Sequence, residues 1–249
     1  VDYITKPISP PIVKARVKTQ LTLKAAADFL RDKNAYLEQV VEARTHEVSM
    51  VQEVTTLALA SLAETRDPDT GNHIRRTQLY VKALAFHLKD HPKFRNFLND
   101  ENIVILYKSA PLHDIGKVGV PDRILLKPGQ LTAEEFDIMK THTSLGWETV
   151  EHAERILGHT VDFLKIAKEI ALSHHEKWDG SGYPHRLSGD AIPISARLMA
   201  IADVYDAIIN RRCYKEAIPH EKGVEIIVSG RSSHFDPDVV DAFIALQDQ

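Results

Sequence analysis

One cysteine, Cys213, stands in 249 residues. No internal disulfide can form and no thiolate metal cluster can be assembled, as expected of a chain in a reducing cytoplasm. An excess of positive charge is missing too. The 31 Lys and Arg against 35 Asp and Glu leave a formal charge of −4 and a pI near 6.4. That gives no electrostatic footprint for duplex nucleic acid or an anionic membrane, so any anionic ligand must be held by a local site. Long apolar runs are absent: stretches such as residues 57–62 fall far short of the roughly 20 residues that span a bilayer, and no signal peptide or anchor is visible. Nor is there an initiator methionine. The chain begins at Val1 within a strand-like run, as expected of a piece of something longer. The abundant residue is histidine, with 13 copies. The length and the 43% hydrophobic content suffice for one sizeable core with a smaller appendage.

Residues 1–21 (VDYITKPISPPIVKARVKTQL) read as a short strand, a Lys-Pro turn and the start of an amphipathic helix, too short to fold alone. The segment resembles the C-terminal end of a response-regulator receiver domain, in which a Lys before Pro, here Lys6 and Pro7, contacts a phosphorylated aspartate. On that resemblance the phospho-acceptor lies upstream of Val1.

From Leu23 onward, positions 23, 27, 30, 34, 37, 41, 44, 48 and 51 recur with spacings of four and three. That is a heptad seam. With Leu23, Leu30 and Leu37 at d, the a positions are Asn34, Val41 and Val48, a combination that favours a parallel two-stranded coil. Arg44 at d is the flaw, and a single amphipathic helix lying on its own domain is the alternative. Residues 22–52 are therefore assigned to a helical linker that makes a homodimer, and residues 53–249 to an all-α domain. Helices are predicted at about 69–88, up to the sequence HDIGK, from a capping box at Thr132 and Glu135, and at 161–175, 195–210, 221–228 and 237–246, the last capped by Asp236. Residues 178–194 hold Gly, Pro and Ser without periodicity and are predicted to be a long functional loop.

The chemistry is carried by histidines that keep company. His113-Asp114 alone is a weak signal, but His73, His142, the doublet His174-His175 and Asp203 join it. Asp203 sits in the otherwise apolar stretch ARLMAIADVYDAII, where an unpartnered buried carboxylate costs on the order of 2 kcal/mol or more. Five imidazoles and two carboxylates read together as a metal centre. Imidazole and carboxylate without thiolate suit iron, manganese, zinc, nickel or cobalt. Seven protein ligands are too many for one ion, and Asp114 can bridge two. Two ions sharing a water form a device for in-line attack on a phosphate, which points to phosphate ester hydrolysis. Lys117 follows His113 by four residues, on the same face if the helix continues, within reach of a phosphate oxygen.

His73, His113-Asp114 and Asp203 match the pattern of the HD superfamily of metal phosphohydrolases. The run HHEKWDGSGYP (174–184) is similar to the extended signature of its HD-GYP branch, as are TRDPDTGNHIRR (65–76), HDIGKVGVPDRILLKPGQLT (113–132) and IADVYDAIINRRCYKEA (201–217). The resemblance covers about residues 53–249. It implies an all-helical domain that hydrolyses cyclic di-GMP at a two- or three-metal site; two divalent transition metals, iron or manganese first, bridged by a hydroxide are expected in this chain, giving pGpG and then GMP. It also implies that His73, His113, Asp114 and Asp203 hold one metal, with Asp114 bridging to a second on His142, His174 and His175. Lys117, Arg212 and Lys215 then grip phosphate. Tyr183 is left between an aromatic face for guanine and one for a partner protein, while Gly180, Gly182 and Gly189 are read as allowing positive backbone angles. Asp69, four residues before His73 and a methylene shorter than the Glu with which some relatives hold a third metal, is expected to fall short of such an ion and to lie behind the ligands, orienting a water or an imidazole. The chain departs from the family at His185-Arg186, where Gly is common, and at Cys213, where Pro is common. The rivals are another nucleotide phosphohydrolase of the HD superfamily, and a slow signalling module that binds cyclic di-GMP or a diguanylate cyclase.

Overall fold

The computed structural model describes residues 9–64, 72–210 and 217–247. Lys6, Pro7, Asp69, Arg212, Cys213 and Lys215 lie outside the described residues. The described residues contain helices and two isolated β-bridges but no strand, so the fold is all-α as expected. The chain divides into two units, residues 1–52 and 53–249.

In the first unit the backbone is one helix, part of α1 (Pro10–Glu64), which passes positions 21 and 52 without a break. Its heptad residues Leu23, Leu30, Leu37, Val41, Val48 and Val51 are all exposed in the single chain. Arg44, the charged intruder at a d position, pairs with Glu47 one turn on, at 2.6 Å.

The second unit is built around α7 (Ile194–Ile209), which is apolar on nearly every face. Such a helix is stable only when neighbours cover it all round. Leu198, Met199, Ile201 and Ala202 are fully buried, in one core with Val81, Leu84 and Ala85 of α2 (His73–Leu88) and Leu106 of α3 (Asp100–Ser109). Ile170 of α6 (Asp162–Ser173), Ile227 of α8 (His220–Ser229) and Val239 of α9 (Pro237–Leu246) complete it. A one-turn helix, α4 (Asp122–Leu125), precedes α5 (Ala133–Leu157), which packs on α6.

Local chemistry sets the helix ends where the sequence placed them. Thr132 and Glu135 make the reciprocal capping box of α5, and Asp236 accepts the N–H of Asp238 at the start of α9. Residues 178–193 form a loop with one short helical turn, Gly189–Ala191, one residue shorter than expected because Ile194 opens α7. Glu176, buried at its foot, accepts the backbone N–H groups of His185 and Leu187 at 2.7 and 3.0 Å.

A helix ends close to HDIGK as expected, but it does not continue through Lys117. The α-helix ends at Ser109, and the HDIGK sequence lies in a separate 3-10 segment, Ala110–Gly119. With three residues per turn, positions i and i+3 eclipse. Lys117 therefore stands over Asp114, its ammonium 2.8 Å from Oδ2, rather than on the face of His113. Gly116 explains the tight packing of this segment on α5. A Cβ there would lie 1.9 Å from the carbonyl oxygen of His142 and 2.4 Å from the nitrogen of Gly146, both backbone atoms. Gly116→Ala is expected to destabilise the unit by about 3 kcal/mol, which for roughly 200 residues lowers Tm by about 6–12 °C. Thermal denaturation followed by circular dichroism checks this, and an unchanged Tm would contradict the backbone contact.

Candidate metal centre

Five elements deliver the candidate ligands. His73 opens α2, His113 and Asp114 lie on the 3-10 segment, His142 is on α5, His174 and His175 follow the end of α6, and Asp203 is on α7. The structure brings all seven into two adjoining groups, Asp114 with His142, His174 and His175, and His73 with His113 and Asp203. Within each group the ligand atoms lie within 4.8 Å of one another. His73, His113, His142 and His174 are almost wholly buried.

The imidazoles are oriented from behind. His113 Nδ1 is 3.0 Å from the carbonyl of Ala110, His142 Nδ1 is 2.7 Å from that of Met139, and His174 Nδ1 is 2.9 Å from that of Ile170. A carbonyl only accepts, so each Nδ1 carries a hydrogen and each ring turns its Nε2 toward the cluster. His73 is held in the same way by a carboxylate, its Nδ1 donating to Asp206 Oδ2 at 2.7 Å. The four Nε2 atoms converge. Those of His73 and His113 face each other at 3.4 Å, and those of His142 and His174 stand 3.3 and 3.7 Å from Asp114 Oδ1. The other oxygen, Oδ2, faces His113 Nε2 at 3.3 Å and Lys117. Asp114 thus looks into both groups with different oxygens.

Among the described residues, Asp114 Oδ1, His142 Nε2 and His174 Nε2 are buried and make no hydrogen bond. Unpaired buried polar groups cost about 1–3 kcal/mol each. Three of them turned toward one point fit a cation, and the imidazole and carboxylate donors fit a divalent transition metal.

The electrostatics agree. Burial pulls the His113 imidazole down, but the carboxylates of Asp114 and Asp203 overcome it and push it up to about 9. Burial raises Asp114, yet Lys117, His113 and His142 hold it well below the usual carboxylate range. Burial lowers His142 and, with His175 beside it, lowers His174 far more, while His175 falls to about 3. These three imidazoles stay neutral and able to donate lone pairs at pH 7.

Sequence reasoning passed over two acids. Asp206, one turn after Asp203 on α7, receives His73, two bonds from Arg76 at 2.5 and 2.9 Å, and Asn210. Its signal was visible as a second Asp three residues on in an apolar helix. Glu64, at the end of α1, is raised by burial and lies within the field of His73, His113, Asp114 and Lys117. Tyr183 packs its ring on His175, with centroids 4.9 Å apart, and burial followed by the charge of Asp114 pushes its hydroxyl upward. Gly182 needs no positive backbone angle, contrary to the expectation. A Cβ there would meet the nitrogen of Lys177 at 2.4 Å and Cα of Glu176 at 2.6 Å, so its role is close approach. Gly180 and Gly189 do adopt positive φ, as does Arg186 with φ 55°, at the point where the chain departs from the family's glycine.

Comparison with known proteins places this geometry in a family. A protein of Vibrio cholerae named a probable cyclic di-GMP phosphodiesterase is 56% identical over 244 residues, covering 98% of this chain and 55% of that protein. The cyclic di-GMP phosphodiesterase response regulator RpfG of Xanthomonas campestris is 36% identical over 244 residues, 98% of this chain and 61% of that protein. The chain thus spans little more than half the length of these curated relatives. A crystal structure of a cyclic GMP-AMP-specific phosphodiesterase of V. cholerae superposes with a TM-score of 0.56 at 17% identity, covering 80% of this chain and 49% of that one, a likeness of fold. Residues 58–239 match the HD domain family, and the chain belongs to it.

Proposed function

We propose that this chain is the catalytic portion of a metal-dependent phosphodiesterase that hydrolyses cyclic di-GMP to pGpG, and then GMP. The observation that carries the reading is the set of buried, unbonded ligand atoms on Asp114, His142 and His174, turned toward one another by carbonyl-anchored imidazoles. The names of the relatives support the substrate.

In this reading His73, His113, Asp114 and Asp203 hold one divalent ion, and Asp114, His142, His174 and His175 a second. Such ions polarise a phosphodiester and lower the pKa of water to near neutrality. The protein supplies the rest. Lys117, ion-paired with Asp114 and largely buried, places a cation where it can donate to a phosphoryl oxygen. Arg212 and Lys215 keep the phosphate-gripping role that the resemblance implies, and Asp69 its place behind the ligands. Asp206 fixes the tautomer and direction of His73, and is itself held ionised, against burial, by His73 and Arg76.

The relative named a response regulator supports reading residues 1–21 as the end of a receiver. The exposed heptad face of residues 23–51 supports a parallel homodimer that carries its signal. No helix among the described residues is long and apolar enough to cross a membrane.

Three substitutions test the assignment. Asp114→Ala is expected to lose both bound metal and cyclic di-GMP hydrolysis, measured by elemental analysis and chromatography of pGpG, whereas wild-type metal and turnover would refute it. Lys117→Ala should keep its metal and lose about 10²-fold in kcat, as for removal of one donor to developing charge; a loss of metal would make Lys117 part of the ligand assembly. Asp206→Asn should weaken metal retention about 10–100-fold in chelator competition, the usual cost of a lost partner behind a ligand. Light scattering at tens of micromolar should find dimers, and a monomer there would rule out the coil.

A further inference from the structure

Beside the imidazole cluster lies a cavity of about 680 Å³, between the first turns of α5 and the loop after α6. None of the ligand atoms lines it, and the metal reading leaves it without a purpose. Its composition is specific. Phe136 and Lys140, one turn apart on α5, face Tyr183 and Arg186 of the loop. The Lys140 ammonium stands 5.4 Å from the centre of the Phe136 ring and 5.9 Å from that of Tyr183. Its partner is Asp137 at 2.5 Å, whose side chain is 71% exposed, and such a surface pair yields readily to a competing anion. Arg186 adds a second cation. It stands in the left-handed region with φ 55°, on a turn fixed by the Glu176 carboxylate through the N–H groups on either side of it. Residues other than glycine are held in that backbone region where the surrounding structure demands it, often at ligand sites.

Two aromatic faces and two cations in one pocket of this size suit a ligand that is both flat and anionic. An apolar ligand would leave the cations unused. Tyr183 joins the cavity to the ligand cluster, because the ring that lines the cavity also packs on His175. A molecule that fills the cavity therefore reaches toward the reacting centre.

We infer that this cavity is the subsite for the distal nucleotide of a cyclic dinucleotide whose scissile phosphate lies at the imidazole cluster. Phe136 and Tyr183 receive the base, while Lys140 and Arg186 hold the second phosphate. The inference rests on the phosphodiesterase reading for the identity of the ligand. It makes Lys140 and Arg186 determinants of specificity for a large diester over a small one.

The test uses Lys140→Gln, which keeps the stem, and Arg186→Asn, which removes the cation with a residue that tolerates positive φ. The ratio of kcat/KM for cyclic di-GMP to that for bis(p-nitrophenyl) phosphate should fall on the order of 10-fold or more in each variant, the worth of a charge-assisted hydrogen bond. The fall should lie mainly in KM for cyclic di-GMP. Calorimetric titration of chelator-treated protein with cyclic di-GMP reads the subsite without turnover, and both variants should bind more weakly by a similar factor. Wild-type ratios and affinities in the variants overturn the inference. So does an equal loss on both diesters, which would make Lys140 and Arg186 supports of the whole centre. If the metal-loaded wild type hydrolyses neither diester but binding still depends on Lys140, the enzymatic reading fails and the subsite stands.

Discussion

The rest of the second unit depends on one carboxylate, that of Asp114, buried among imidazoles whose Nε2 atoms are turned toward it. In water such a group would satisfy itself with solvent. Here Oδ1 makes no hydrogen bond among the described residues, and Oδ2 has Lys117 and His113 as neighbours. Keeping that arrangement requires each imidazole to be fixed from behind, and each is tied to a different part of the scaffold. His113 and His142 reach back three residues to carbonyls of their own elements, His174 reaches four, and His73 crosses to Asp206 on α7. The almost wholly buried α7 is the reference against which these directions are set, since it carries Asp203 toward the cluster and Asp206 behind it. The contact at Gly116 then brings the 3-10 segment so near α5 that Asp114 and His142 meet at 3.3 Å.

This arrangement also accounts for the opposite behaviour of neighbouring histidines. His113 lies between two carboxylates and takes up positive charge, whereas His174 and His175, tilted against each other with ring centroids 4.0 Å apart, are driven neutral by burial and by neighbouring imidazoles that outweigh Asp114. A site that attracts positive charge on one side and offers neutral donors on the other is suited to cations rather than to a substrate carboxylate.

Much of this was legible because it follows from local rules. The capping box at Thr132, the cap at Asp236 and the apolar periodicity of α7 act within a turn or two of chain, and the helices form close to where those signals lie. The grouping of His73, His113, Asp114, His142, His174, His175 and Asp203 was legible from residue type. The 3-10 segment was not. Residues 110–119 follow an apolar helical stretch without an interruption in the sequence, and the contact that accompanies their tighter winding is tertiary, the backbone of α5 against Gly116. Hence Lys117 came out beside Asp114 instead of in line with His113. Asp206 was passed over for a related reason: its partners, His73 and Arg76, are distant in sequence, so its role exists only once α2 and α7 are packed. Gly182 was credited with a turn conformation when its task is to let the loop lie against Glu176 and Lys177.

The central proposal is that the converging Nε2 atoms and Asp114 would together hold two ions. Anomalous diffraction at the metal absorption edge, from crystals of anaerobically purified protein, tests it most directly. The account predicts two full-occupancy peaks, one among His73, His113 and Asp203 and one among His142, His174 and His175, with an Asp114 oxygen bonded to each. A third full-occupancy peak bonded to Asp69, or a single peak that leaves either group of histidines without an ion, would contradict it.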